Sequence, residues 1–111
     1  METMTLIAER RWFAVAPDGE EFDLIIRLGQ PYPATNASWA CPLTLEGLHK
    51  KLPDIHGIDS LQAIELAMKL AADLVCSFAE KGGKIFWSRD GDQVSLITSL
   101  PFAETFISNR K

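Results

Sequence analysis

The segment from Asp59 to Gly82-Gly83 most narrows what this chain can become. Over about 22 residues its polar side chains Gln62, Glu65, Lys69, Asp73, Ser77 and Glu80 recur at spacings of three and four, and nearly every other position is apolar. That is the period of an α-helix with a narrow solvent stripe. Such a helix spans roughly 33 Å. Asp59 as N-cap with Gln62 three residues on approximates a capping box, and Gly82-Gly83 offers the left-handed residue that ends a helix. Ile64, Ala67, Ala71, Val75 and Phe78 mark the centre of the apolar face, with Leu61, Met68, Ala72 and Ala79 on one flank and Ala63, Leu70 and Leu74 on the other. So wide an apolar arc needs cover from more than one flat sheet.

The sheet must come from the flanking sequence. Residues Met4 to Ala16 are rich in strand formers and are followed by Pro17-Asp18-Gly19, which has turn chemistry. Phe22, Leu24, Ile26 and Leu28 then alternate with Glu21, Asp23, Ile25 and Arg27, a half-buried strand. The residues from Gly29 to Asn36, with two prolines, read as an exposed loop. A third strand places Trp39, Cys41, Leu43 and Leu45 on one face, and Pro42, which has no N–H, favours an edge or a bulge there. Glu46 to Ile58 reads as a connection. After the helix, Lys84 to Ser88 and Gln93 to Thr98 form a hairpin across Arg89-Asp90-Gly91-Asp92, and the tail Pro101 to Lys111 suits a short helix built on Phe102 and Phe106. The expectation is a single α+β domain over residues 1–111: three strands, one long helix and two strands, with a mostly antiparallel sheet packed on the helix.

Composition enters as a filter on function. With 47% apolar and 23% charged residues among 111, the chain is an ordinary folded domain, and its net charge of -4 with scattered basic residues argues against a nucleic-acid surface. The first dozen residues lack the uninterrupted apolar run of a signal peptide, and no stretch approaches a membrane span. A cytoplasmic protein with two reduced cysteines, Cys41 and Cys76, is expected.

The string Gly57-Ile58-Asp59-Ser60-Leu61 resembles the acyl and peptidyl carrier proteins, in which the matching serine bears a phosphopantetheine arm. That resemblance would make Ser60 the attachment site. It covers about a dozen residues, and carrier domains are four-helix bundles, whereas the sequence before Gly57 is strand-patterned. A longer resemblance, from residue 7 to residue 63, is to a family of small uncharacterised bacterial proteins. It rests on Ile7-Ala8-Glu9-Arg10, Trp39-x-Cys41 and Gly57-Ile58-Asp59-Ser60-Leu61-Gln62-Ala63. It implies an α+β domain and lends no catalytic residues. Some small acidic bacterial proteins of this type look like immunity proteins that block toxins.

Other constellations fall short of a site. His49 and His56 are seven apart, a spacing that matches no close metal-ligand pair, and Asp90-Gly91-Asp92 lacks the remaining calcium ligands. Cys41 lies on an inward-facing strand, and Cys76 sits near the edge of the polar stripe, where partial exposure is expected, without a base. No catalytic residue, cofactor or metal is therefore expected. What remains is apolar excess: Leu66 inside the polar stripe, Leu70 at its border and Ile25 on the polar face of the second strand. The pattern leaves the burial of Trp12, Tyr32 and Trp87 unassigned. These residues point to a non-enzymatic protein-interaction domain, immunity-protein-like or homodimeric, whose interface includes Ile25, Leu66 and Leu70 and whose partner is another protein or a second copy.

Overall fold

The computed structural model describes residues 4–108. Strands β1 (Leu6–Val15) and β2 (Glu21–Gly29) form the hairpin that Pro17-Asp18-Gly19 encodes, with Gly19 at a φ of 94° and its N–H bonded to the Ala16 carbonyl. The next elements are β3 (Tyr32–Pro33), β4 (Trp39–Cys41), β5 (Leu43–Glu46), β6 (Ile55–Gly57), helix α1 (Ser60–Glu80), β7 (Lys84–Phe86) and the short helices α2 (Leu96–Ser99) and α3 (Ala103–Ser108). The strands make two antiparallel sheets, one ordered β5-β2-β1-β7 and the other β3-β4-β6. The fold is α+β. Among the described residues no helix is long and apolar enough to cross a membrane.

Helix α1 is built as its sequence requires. The Asp59 carboxylate accepts from the Gln62 N–H at 2.8 Å, and the Gln62 side chain accepts from the Ile58 N–H at 2.8 Å. At the other end Gly82, with φ of 106°, donates to Ala79 and Gly83 donates to Phe78, the paired bonds of a Schellman cap. Its buried line is Ala63, Ala67, Ala71 and Val75, joined by Ala72 and Cys76. That line keeps Ala67, Ala71 and Val75 of the expected centre but starts at Ala63 in place of Ile64, leaving Ile64 and Phe78 half-buried and Leu61 74% exposed. Small side chains win the centre because the backbone of β6 comes so close. A Cβ on Gly57 would stand 2.6 Å from the Ala63 nitrogen.

Three expectations are corrected. The third strand divides at Pro42: β4 belongs to the small sheet and β5 is an edge of the large one. Proline cannot donate to a ladder, although its carbonyl still accepts from Gly29 at 2.9 Å, so the chain changes sheet there. The stretches read as loop and connection each contribute a strand, β3 and β6, because β4 supplies a partner on both sides. The second arm of the last hairpin reaches only a bridge between Phe86 and Gln93 before the chain coils into α2. There Thr98 Oγ1 and the Ser99 N–H both bond the Ser95 carbonyl, local pairing that competes with a ladder.

The tail helix forms as expected over Ala103–Ser108, with Phe102 and Phe106 against the core. Residues 109–111 of the expected tail lie outside the described residues. One continuous apolar cluster joins the inner faces of both sheets to α1, with Leu24, Leu43, Leu45, Val75 and Cys41 almost wholly enclosed.

Candidate functional site

Ile25, Leu66 and Leu70, expected at an interface, do not form one exposed surface. Ile25 is 3% exposed, lying in register between Arg11 on β1 and Glu46 on β5, so long charged side chains close over it. The alternation that put it on the polar face is right, but that face is roofed by ion pairs. Arg27 bonds Glu9 at 2.8 Å and Glu46 at 2.7 Å, and Arg11 reaches Glu9 at 3.2 Å. The hydrogen bond from Arg27 holds the Glu9 carboxyl below the usual carboxylate range, and Glu46 followed by Glu9 raises the Arg27 guanidinium. Leu66 and Leu70 are half-buried, and Leu70 packs on the core. The apolar side chains that do face solvent are elsewhere, Ile58 at 76% and Leu61 at 74% among them.

Ser60 is the first residue of α1, where the Asp59 carboxylate already takes the Gln62 N–H and the Gln62 side chain takes the Ile58 N–H just before the helix. A helix precedes the serine in a carrier bundle, whereas here the strand β6 does. The likeness to carriers is confined to the opening of the helix. His49 and His56 are exposed on separate segments, and His56 Nδ1 lies 3.4 Å from Ser38 Oγ. No group of three His, Cys, Asp or Glu side chains gathers among the described residues. Cys41 and Cys76 are both buried as free thiols, correcting the partial exposure expected of Cys76. Burial pushes both thiols up, assisted by Asp54 at Cys41 and by Asp73 and Glu80 at Cys76.

The three unassigned aromatics divide between two places. Trp12 is buried beneath the half-exposed Trp87, edge to face at 5.9 Å, and the Arg10 guanidinium lies 5.2 and 5.5 Å from the two ring centres. Arg10 also donates to the Ser99 carbonyl at 2.9 Å, so this stack fastens α2 to β1. Tyr32 lies apart from them, on the rim of a cleft.

That cleft, of about 1180 Å³, opens where the chain changes sheet. Tyr32 of β3 and Trp39 of β4 form one part of its wall, Leu43 and Leu52 supply apolar surface, and Lys50 and Lys51 stand on its edge. Four prolines complete the wall: Pro31, Pro33, Pro42 and Pro53. The Tyr32 hydroxyl donates to Asp54 Oδ2, which ties the segment leading into β6 to β3 and keeps the cleft's shape. Among the described residues neither Lys50 nor Lys51 has an ion pair or side-chain hydrogen bond. Thr44 and Lys50 also line a second depression of about 430 Å³ beside Arg27 and His49, so the two hollows share a wall. Thr44 Oγ1 is buried on that shared wall without a hydrogen-bond partner.

The sequence signals for this site were the two prolines around Tyr32 and the Lys50-Lys51 pair. Each reads as loop and solvated charge until β3, β4 and β5 bring them to one place. Residues 8–97, most of the chain, match the model of a domain of unknown function (DUF6968). No curated protein and no solved structure matches the chain.

Proposed function

We propose that this chain, which belongs to the DUF6968 family of domains of unknown function, is a non-enzymatic interaction domain that docks another protein in the cleft between its two sheets. The observation that carries the reading is an open, aromatic-walled groove edged by two lysines that have no ion-pair partner among the described residues. Recognition sites combine apolar walls with a few placed polar groups, and aromatic residues dominate the energetics of protein interfaces. The chemistry of the rest of the molecule agrees with it. Both thiols are enclosed and held in the protonated, unreactive form, which also suits a reducing, cytoplasmic setting.

The test is a photo-crosslinking residue placed at Lys51 in the producing cell, with the same residue at Lys69 on the exposed stripe of α1 as control. The expected result is a covalent adduct to one other polypeptide from position 51, absent from position 69 and lost when Trp39→Ala is added. An adduct to a second copy of this chain, or equal labelling from both positions, would overturn the reading.

A further inference from the structure

We infer that the occupant of the cleft is an acidic, proline-containing segment of the partner, held in extended polyproline conformation with its carboxylates against Lys50 and Lys51. This rests on the cleft being the docking face. Size is the first argument. At about 1180 Å³ the cleft exceeds the roughly 300–1,000 Å³ of small-molecule pockets. The second hollow continues it past Thr44 and Lys50, so the groove suits a chain better than a compact molecule.

Hydrogen bonding is the second argument. Pro31, Pro33, Pro42 and Pro53 have no N–H, so this wall is a poor template for adding a β-strand to the sheet. A polyproline helix makes no internal or ladder hydrogen bonds and keeps its backbone solvated, so it loses nothing against such a wall. Tyr32 and Trp39 present the aromatic surface on which pyrrolidine rings pack in other polyproline-binding grooves.

Charge is the third. The Asp54 carboxylate keeps its charge in the hydrogen bond from the Tyr32 hydroxyl and Glu46 pairs with Arg27, so Lys50 and Lys51 outweigh Asp54 and leave the rim net positive. A locally basic rim on a chain of net charge -4 selects acidic ligands by sign. Two lysines neutralise too few phosphates to hold a nucleic acid at physiological salt.

The full chain, labelled with nitrogen-15, would be titrated with a short alternating Glu-Pro peptide. Shifts are expected at the Trp39 indole and at the amides of Tyr32, Lys50 and Lys51, with affinity falling roughly tenfold or more in Lys50→Glu/Lys51→Glu. A Lys-Pro peptide should leave those signals unmoved. Equal binding of a Ser-Glu peptide would overturn the polyproline assignment, and tighter binding of a short oligonucleotide in the cleft would overturn the peptide class. If Glu-Pro fails to bind while the crosslink from position 51 still finds its partner, this inference fails and the docking face stands. Failure of both removes the docking face itself.

Discussion

The small sheet meets two neighbours in opposite ways. Against α1 it is sealed to backbone contact, with Gly57 facing the Ala63 nitrogen and a run of alanines carrying the helix across. Against β5 it parts, and Pro42 marks the place where one strand leaves for the other sheet. Both seams are apolar. What separates them is side-chain size and backbone donors: small residues let two elements close, whereas prolines and aromatics hold surfaces apart and leave no ladder to close them. A cleft in this fold is therefore a consequence of where the prolines fall.

If the cleft is open only above a fully packed floor, the largest effects come from below it. Leu43 lines the cleft yet is 2% exposed, so Leu43→Ala should destabilise by about 3 to 4 kcal/mol in urea unfolding. A small loss would mean that the floor is as loose as the rim. At the sealed seam Gly57→Ala forces a Cβ to 2.6 Å from a backbone nitrogen, and neither partner is a flexible side chain. About 3 kcal/mol of destabilisation is expected. A tolerated alanine would show that α1 slides on β6 and that the contrast between the seams is one of degree.

The helix side of the sealed seam was legible in the sequence, whereas its strand β6 and the open seam were not. Capping residues, spacing and the terminal glycines define α1 locally, since each acts within one turn of its own position. Gly57 misled because glycine reads as a loop, whereas here it is needed by the helix that crosses it. Its neighbours Ile55 and His56 pair with Cys41 and Ala40, residues too distant in sequence to be inferred from local pattern. Ile25 shows the same limit from the other side. Its alternation was right, but its burial depends on Arg11 and Glu46, which arrive from two other strands. The cleft fails to show in the sequence for that reason: Tyr32, Trp39 and Lys51 share no local period.

The open side also carries strain that the sealed side lacks. Asn36 and Ala37 both have φ of 60° in the turn from β3 to β4, closed by the Ser38 N–H on the Thr35 carbonyl at 3.2 Å. Two left-handed residues in sequence fit an Asn-Gly turn, and alanine there is strained. Ala37→Gly should stabilise by about 1 kcal/mol, read as a rise in the urea midpoint at constant slope. A loss would place the strain outside this turn. Thr44→Val removes a buried hydroxyl that has no partner while keeping its shape, and the expected change is from zero to about 1 kcal/mol of stabilisation. Clear destabilisation would reveal that the hydroxyl is satisfied within the groove.

The smallest effect is the most telling for function. Lys50 and Lys51 are exposed and take no part in the ion pairs on the neighbouring sheet, where Arg27 already serves Glu9 and Glu46. Reversing both charges removes no contact that folding uses, so Lys50→Glu/Lys51→Glu should move the unfolding free energy by less than about 0.5 kcal/mol. The chain is already acidic, and the added negative charge is screened within about 8 Å at physiological salt. A larger loss would make the lysines part of the scaffold that holds the segment before β6 in place, and the rim would belong with the sealed seam after all. An unchanged stability leaves two solvated cations beside an aromatic groove with no part in holding the fold together, which separates the residues that bind from the residues that build.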